Sequence, residues 1–321
     1  MSIFEGWRRA EFRRAPAKPM IFPPIPPEKA TLNSLNFDLH NHTNASDGVL
    51  PADELVLLAH RNGCDALALT DHDTVANVAA AAACAKALGL RFVAGIEISV
   101  SWVAKGDIDS PLTTIHIVGL NIDPTNRALL EGIAGVRGGR IARGREMAKQ
   151  LVEAGLPDIF EDAFALAENK EMLARTHFGR ALVSRGIVPD IATAFKRFLT
   201  QGNPGYIPHR WASLEDAIGW ILGAGGVAVI AHPARYKLST AEMDALFGEF
   251  KALGGQGVEV VTGSHSANEY GQFAARCKAF GLYASRGADF HGPVETPVEP
   301  GTLPLLSDVD RDLKPVWQLF H

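Results

Sequence analysis

The chain has 321 residues, 47% of them hydrophobic and 21% charged, the balance of a globular protein with a substantial core. No apolar run approaches the roughly 20 residues needed to cross a bilayer, and the Met1 end lacks the apolar stretch of a signal peptide, so a cytoplasmic protein with no membrane partner is expected. The net charge of −5 divides into +3 over residues 1–36, from six Lys/Arg against three Asp/Glu, and −8 over the rest; a body of that sign excludes gripping duplex DNA through its phosphates and points to a small substrate.

Residues 1–36 read as a Pro-rich, basic leader outside the fold. They hold six of the 19 prolines, including Pro23-Pro24-Ile25-Pro26-Pro27, a composition suited to a poorly ordered arm. From Phe37 onward, short apolar runs alternate with helical patterns. The strand candidates are Phe37–His42, Ala66–Thr70, Arg91–Val100, Thr113–Ile122, Val227–His232, Gly257–Val261 and Leu282–Phe290. Helical periodicity covers Ala52–Arg61, Asn77–Leu88, Leu214–Leu222, Ala241–Leu253 and Asn268–Phe280, and Ser213-Leu214-Glu215-Asp216 has the form of a capping box. Such alternation predicts an α/β fold with a parallel sheet and crossover helices, and seven strands suggest a distorted (β/α)7 barrel.

The rhythm breaks between Asp123 and Pro204. That stretch carries helical patterns (Ile141–Ala154, His177–Arg185, Ile191–Leu199) and no convincing strand. It reads as an inserted all-helical subdomain, residues 123–204, within a barrel made of residues 37–122 and 205–321. The cysteines Cys64, Cys84 and Cys277 are scattered and odd in number, which excludes a disulfide framework and a CxxC zinc pattern; they read as buried thiols.

Chemistry concentrates at the strand ends. The first gives His40-Asn41-His42 with Asp47 following; on an extended segment both imidazoles of an H-x-H pair share a face. The others give His72 in Thr70-Asp71-His72-Asp73, then Glu97, His116, His232 in Ala231-His232-Pro233, and Asp289-Phe290-His291. Every strand but Gly257–Val261 presents a ligand-type residue. A single histidine at a strand end is ordinarily a satisfied core residue, and Glu97 alone could be a capping or salt-bridged carboxylate. Six histidines and three carboxylates at one barrel mouth are another matter, because burying those charges unpaired would cost several kcal/mol. Divalent ions remove the cost, and the imidazole–carboxylate mixture suits Mn²⁺, Zn²⁺ or Fe²⁺ better than Ca²⁺.

These motifs, in this order, resemble those of the PHP (polymerase and histidinol phosphatase) family, whose members have a distorted seven-stranded β/α barrel and a trinuclear metal site. The resemblance implies two to three divalent ions, Mn²⁺ first, with Zn²⁺ or Fe²⁺ as alternatives. It assigns His40, His42, Glu97 and Asp289 to one ion, Glu97 as a bridge to a second with His116 and His232, and Asp47, His72 and His291 to a third. Asp47, His72, Glu97, His232 and His291 are the implied catalytic set. Ala288, where the last motif often has Ser, is a departure that touches no ligand position. Metals about 3.5–4 Å apart can share a hydroxide nucleophile and clamp a phosphoryl group, so no serine or cysteine nucleophile is needed. The Gly223-Ala224-Gly225-Gly226 turn lacks the Lys-Ser/Thr of a P-loop and reads as a helix-to-strand connection.

Further segments resemble the branch of the family that removes the 3′-phosphate of nucleoside 3′,5′-bisphosphates such as adenosine 3′,5′-bisphosphate: Ser99-Val100-Ser101-Trp102, His116-Ile117-Val118-Gly119-Leu120, Arg175-Thr176-His177-Phe178, Gly205-Tyr206, Trp211–Ala217 and Gly263-Ser264-His265-Ser266. Within it, Arg137, Arg140, Arg175, Arg235, His177 and His265 are the expected substrate contacts, while Arg143 and Arg145 read as a solvated helix face. Three alternatives stay open: 5′-to-3′ trimming of short 5′-phosphorylated RNA, histidinol phosphatase, and a non-catalytic barrel that binds nucleotides.

Overall fold

The computed structural model describes residues 32–104 and 112–320. Seven strands, β1 (Phe37–Asp38), β2 (Ala66–Leu69), β3 (Arg91–Trp102), β4 (Thr113–Leu120), β5 (Val227–Ile230), β6 (Gly257–Thr262) and β7 (Tyr283–Gly287), pair in sequence order. The first and last then meet: Leu39 N donates to Arg286 O (2.9 Å), Asp289 N to His40 O (2.8 Å) and His42 N to Phe290 O (2.9 Å). The sheet therefore curls into a barrel. All of β2 and β5 is buried, which is why these strands read as unbroken apolar runs.

One strand departs from the parallel expectation. β4 runs antiparallel to both β3 (Ser99 opposite His116) and β5 (Ile117 opposite Ile230). Only Val103–Leu112 separates β3 from β4, and a parallel crossover needs about a dozen residues or more, so a hairpin forms instead. The reversal brings the N-terminal half of β4 to the barrel mouth. His116 thus reaches the site from within its strand, not from the strand's C-terminal end.

In chain order the α-helices are α1 (Ala52–Arg61), α2 (Val78–Leu88), α3 (Arg127–Arg137), α4 (Arg140–Glu153), α5 (Phe160–Leu166), α6 (Arg175–Ser184), α7 (Ile191–Ala194), α8 (Leu214–Gly223), α9 (Thr240–Ala252), α10 (Ala267–Ala279) and α11 (Leu306–Val309). Ser239/Glu242 and Ser266/Glu269 cap α9 and α10 reciprocally. At α8 the expected box is half made: Ser213 Oγ accepts from Asp216 N (3.0 Å), while the Asp216 carboxylate takes the Ser213 hydroxyl (2.6 Å).

The insertion starts later than residue 123. Helix α3 places Leu129, Ile133 and Val136 on one face and buries them in the barrel core, so it belongs to the barrel layer. A second core, with Met147, Leu151, Phe160, Phe178, Leu182 and Leu199, unites α4 to α7. The leader also ends earlier than expected. Asn33 is buried and donates to Arg311 O (2.9 Å), and Asn36 bonds Gly63 O and Gly301 O (3.0 Å each), so residues 32–36 are part of the fold. The rest of the leader lies outside the described residues.

Candidate metal centre

Each site residue is delivered by a strand or by the loop that follows one. His40 and His42 leave β1 on extended chain. The loop to Asp47 is fixed by the buried Asp71 carboxylate, which accepts from Thr43 N (2.7 Å), Thr43 Oγ1 (2.6 Å) and Ser46 Oγ (2.6 Å). His72 follows β2, Glu97 lies in β3, His116 in β4, His232 follows β5, and Asp289 and His291 follow β7.

All nine expected ligand residues come together around Glu97. Its Oε1 lies 2.9 Å from His116 Nδ1, 3.1 Å from His232 Nε2 and 3.3 Å from His40 Nε2. Its Oε2 lies 2.7 Å from His72 Nδ1 and 3.4 Å from His42 Nε2. Asp289 Oδ1 is 3.2 Å from His42 Nε2 and 3.4 Å from His40 Nε2. Asp47 Oδ1 faces His291 Nε2 at 3.4 Å and His72 Nε2 at 3.8 Å.

The donor set fits divalent cations. Asp47 Oδ1, Glu97 Oε2 and His72 Nδ1 are buried and make no hydrogen bond, the 2.7 Å approach of the last two being an ion-pair contact only, an arrangement that costs free energy unless a cation meets these atoms. Donor atoms of His42, Asp47, His72 and His291 lie within 4.8 Å of one another, as do those of His40, His42 and Glu97, and of His72, Glu97 and His116. Glu97 joins two of these groups, His42 and His72 are also shared, and His232 and Asp289 flank the groups.

Electrostatics agree. Burial, reinforced by the rings of His291 and His72, lowers His42 to about 3, and burial with Arg235 lowers His232 to about 3, so both rings are neutral and ligand-ready. Burial opposes charge on His72 as well, yet Glu97 and Asp47 lift it to about 9. Glu97, Asp47 and Asp289 are held well below the usual carboxylate range, because the surrounding histidines outweigh desolvation. Three of the four non-glycine residues with positive φ among the described residues are at this centre: Asp73 (45°), His232 (26°) and Asp289 (53°). Such strain persists where packing over-determines it.

Some supporting residues escape the sequence pattern. Glu259, on the strand with no ligand at its end, is buried and accepts from His40 Nδ1 (2.7 Å) and His232 N (2.6 Å). An acidic residue inside the apolar run Gly257-Val258-Glu259-Val260-Val261 was the available signal. Tyr236 Oη likewise accepts from His116 N (2.8 Å) and donates to Ala231 O (2.8 Å).

The expected substrate contacts divide. Arg235 is half exposed and pairs with Asp289 Oδ2 at 2.8 Å. Arg175 donates to Leu199 O (3.2 Å) and lies between Phe195 and Tyr206. Arg137 donates to Asp73 O (2.9 Å) from the end of α3, and the buried Arg140 pairs with the Asp73 carboxylate, so the start of α4 is anchored to the loop after β2. Arg143, expected on a solvated face, is half-buried 4.9 Å from the Trp211 ring; burial and the neighbouring Arg140 and Arg175 bring it down to about 9. Arg145 is exposed, as expected. His177 caps α6, its Nδ1 accepting from Ala174 N (3.0 Å), and burial lowers it to about 4. His265 uses both nitrogens on backbone, Nδ1 toward Val260 O (3.1 Å) and Nε2 accepting from Ala234 N (3.1 Å). It therefore holds the turn bearing Arg235 and has no nitrogen left for an ester.

Residues 38–226 match the PHP domain. The chain belongs to the PHP family. This PHP protein is 46% identical over 283 residues to a 3′,5′-nucleoside bisphosphate phosphatase of Chromobacterium violaceum, covering 88% of the chain and 95% of that relative. It is 37% identical over 286 residues to a 5′-3′ exoribonuclease of Haemophilus influenzae, covering 88% and 98%. A solved structure of a Chromobacterium violaceum amidohydrolase with bound sulfate and no metal superposes with a TM-score of 0.82 at 45% identity, covering 89% of this chain and 95% of that one. The PHP protein is accordingly a hydrolase of phosphate esters that uses divalent metal ions. No helix among the described residues is long and apolar enough to cross a membrane.

Proposed function

We propose that this enzyme removes the 3′-phosphate of nucleoside 3′,5′-bisphosphates, such as adenosine 3′,5′-bisphosphate, and leaves the 5′-monophosphate. The observation that carries the reading is a pair of guanidiniums beside the metal centre. Arg143 and Arg175 are half-buried, pack on Trp211 and on Phe195 and Tyr206, and have no carboxylate within salt-bridge distance among the described residues. Burial lowers Arg175 too, with Tyr206, Arg235 and Asp47 among the groups that act on it. Charges so placed call for an anion, and a second phosphate supplies one. The 46% identical relative bears the name of this activity.

In this reading His40, His42, Glu97 and Asp289 hold one ion, Glu97 with His116 and His232 a second, and Asp47, His72 and His291 a third, with Mn²⁺ the preferred metal. Such ions polarise phosphoryl oxygens and acidify water at neutral pH. Arg235, tethered to Asp289, neutralises charge building on the reacting phosphate. Arg143 and Arg175 hold the 5′-phosphate, and Tyr206 and Trp211 confine the nucleoside.

A second reading has its own support. Arg137, Gly138, Gly139, Arg140 and Arg145 line an open cleft of about 650 Å³, room for a further nucleotide of a short 5′-phosphorylated RNA. A panel of adenosine 3′,5′-bisphosphate, 3′-AMP, histidinol phosphate, p-nitrophenyl phosphate and a short RNA separates these readings by kcat/KM. One charge-assisted Arg contact contributes about 1.5–3 kcal/mol, or roughly ten- to a hundredfold, so the bisphosphate should exceed 3′-AMP by at least that factor. Arg143→Ala and Arg175→Ala should each shrink the preference with metal content intact, whereas Arg235→Ala should lower kcat/KM on both substrates alike. Equal efficiency on the bisphosphate and 3′-AMP would overturn the proposal.

A further inference from the structure

We infer that helix α6 of the insertion positions one of the metal sites: Thr176 sets the Asp47 carboxylate, and Arg180 holds the Asp47 main-chain carbonyl and ties the loop after His291 to it. The inference rests on the metal-centre reading above and adds a dependence of the barrel's site on the insertion.

Asp47 divides its two oxygens. Oδ1 faces His291 and His72 and has no hydrogen-bond partner. Oδ2 accepts the Thr176 hydroxyl at 2.8 Å. The Asp47 main-chain carbonyl accepts from an Arg180 terminal nitrogen at 2.5 Å. That guanidinium also grips Glu295 with two bonds, Nε to Oε1 at 2.6 Å and Nη2 to Oε2 at 2.7 Å. Glu295 belongs to the turn that carries His291, whose N–H donates to Thr296 Oγ1 at 3.0 Å while Glu295 N donates to Gly292 O at 3.1 Å. One helix thereby fixes both loops that supply Asp47 and His291.

The arrangement is more than surface docking. Arg180 and Glu295 side chains are 12% and 13% exposed, so the pair is shielded from water and its two-bond geometry is specific. Neighbouring contacts reinforce it: Asn44 Nδ2 donates to Glu168 Oε2 (2.7 Å) and Asn169 Nδ2 to Ala45 O (3.4 Å), both on the loop that leads to Asp47. His40, in contrast, is oriented from within the barrel by Glu259. The ion shared by Asp47, His72 and His291 therefore depends on the insertion in a way the ion at His40 and His42 does not.

The test titrates metal-free full-length protein with Mn²⁺ by calorimetry and counts bound ions by elemental analysis, with circular dichroism as the check on folding. Thr176→Val keeps the shape and removes the donor; Thr176→Ser keeps the donor. A partner that orients a ligand is worth about 10- to 100-fold in metal affinity. We expect Thr176→Val to weaken tenfold or more, or to lose, the same ion that Asp47→Asn loses, with the other sites unchanged, and Thr176→Ser to bind as wild type. Glu295→Gln, which frees Arg180, should weaken the same site and serves as the readout should Thr176→Val misfold. Asp47→Asn is the reference. If it loses an ion while Thr176→Val and Glu295→Gln bind as wild type, the inference is overturned and the metal centre stands. If Asp47→Asn itself binds as wild type, the ligand reading fails first.

Discussion

Glu259 and His40 are joined by a 2.7 Å hydrogen bond beneath the metal centre, on the side away from the cluster. The carboxylate accepts the hydrogen bond from Nδ1 and leaves His40 Nε2 aimed at Glu97 and Asp289. Its second oxygen holds the His232 amide at 2.6 Å. Glu259→Gln should keep the fold and lower Mn²⁺ affinity by about 10- to 100-fold, as loss of such orienting partners does. Glu259→Leu strands a buried amide and should also cost about 1–3 kcal/mol of stability in a denaturant titration. Unchanged Mn²⁺ binding in Glu259→Gln would show that His40 needs no orienting partner.

Glu97 stands within 3.5 Å of five imidazole nitrogens, from His40, His42, His72, His116 and His232. Replacing it touches more than one ion. Glu97→Gln should lower metal occupancy at two sites and reduce activity more than His116→Asn does. Elemental analysis of both variants, followed by phosphate-release assays, checks this. Wild-type turnover and metal content in Glu97→Gln would displace it from the centre of the site.

Acidity offers a third check. In the metal-free protein burial works against a charged His72, but Glu97 and Asp47 raise it to about 9. The ring therefore carries a proton at neutral pH and must lose it to accept an ion. Affinity for Mn²⁺ should rise with pH up to about 9, roughly tenfold per unit for each proton displaced, and binding in weak buffer should release protons. An affinity independent of pH between 6.5 and 8.5 would show that His72 binds no ion.

What could be read from residues alone follows from what side-chain type encodes. The convergence of these side chains was legible because His, Asp and Glu at successive strand ends have few other physical explanations. The direction of β4 was not, since an apolar run such as Thr113–Leu120 looks the same in either orientation and only the short Val103–Leu112 link hinted at a hairpin. Helix α3 was absorbed into the insertion because its Leu129, Ile133 and Val136 stripe says that it packs but not against what. Glu259 lies within its strand and not at its end, so the strand-end pattern does not reveal it. Arg143 and Arg145 are two residues apart on one helix, and only the position of Trp211 shows which of them is covered.

The central claim is a metal-dependent 3′-phosphatase acting on doubly phosphorylated nucleosides. The most direct test incubates adenosine 3′,5′-bisphosphate with protein stripped of metal and then reloaded with Mn²⁺, and identifies the products by chromatography alongside inorganic phosphate. The account predicts no release from the stripped protein and, after reloading, one phosphate per substrate with 5′-AMP as the sole nucleotide. Adenosine 3′-phosphate as the product, or full activity without metal, would contradict it.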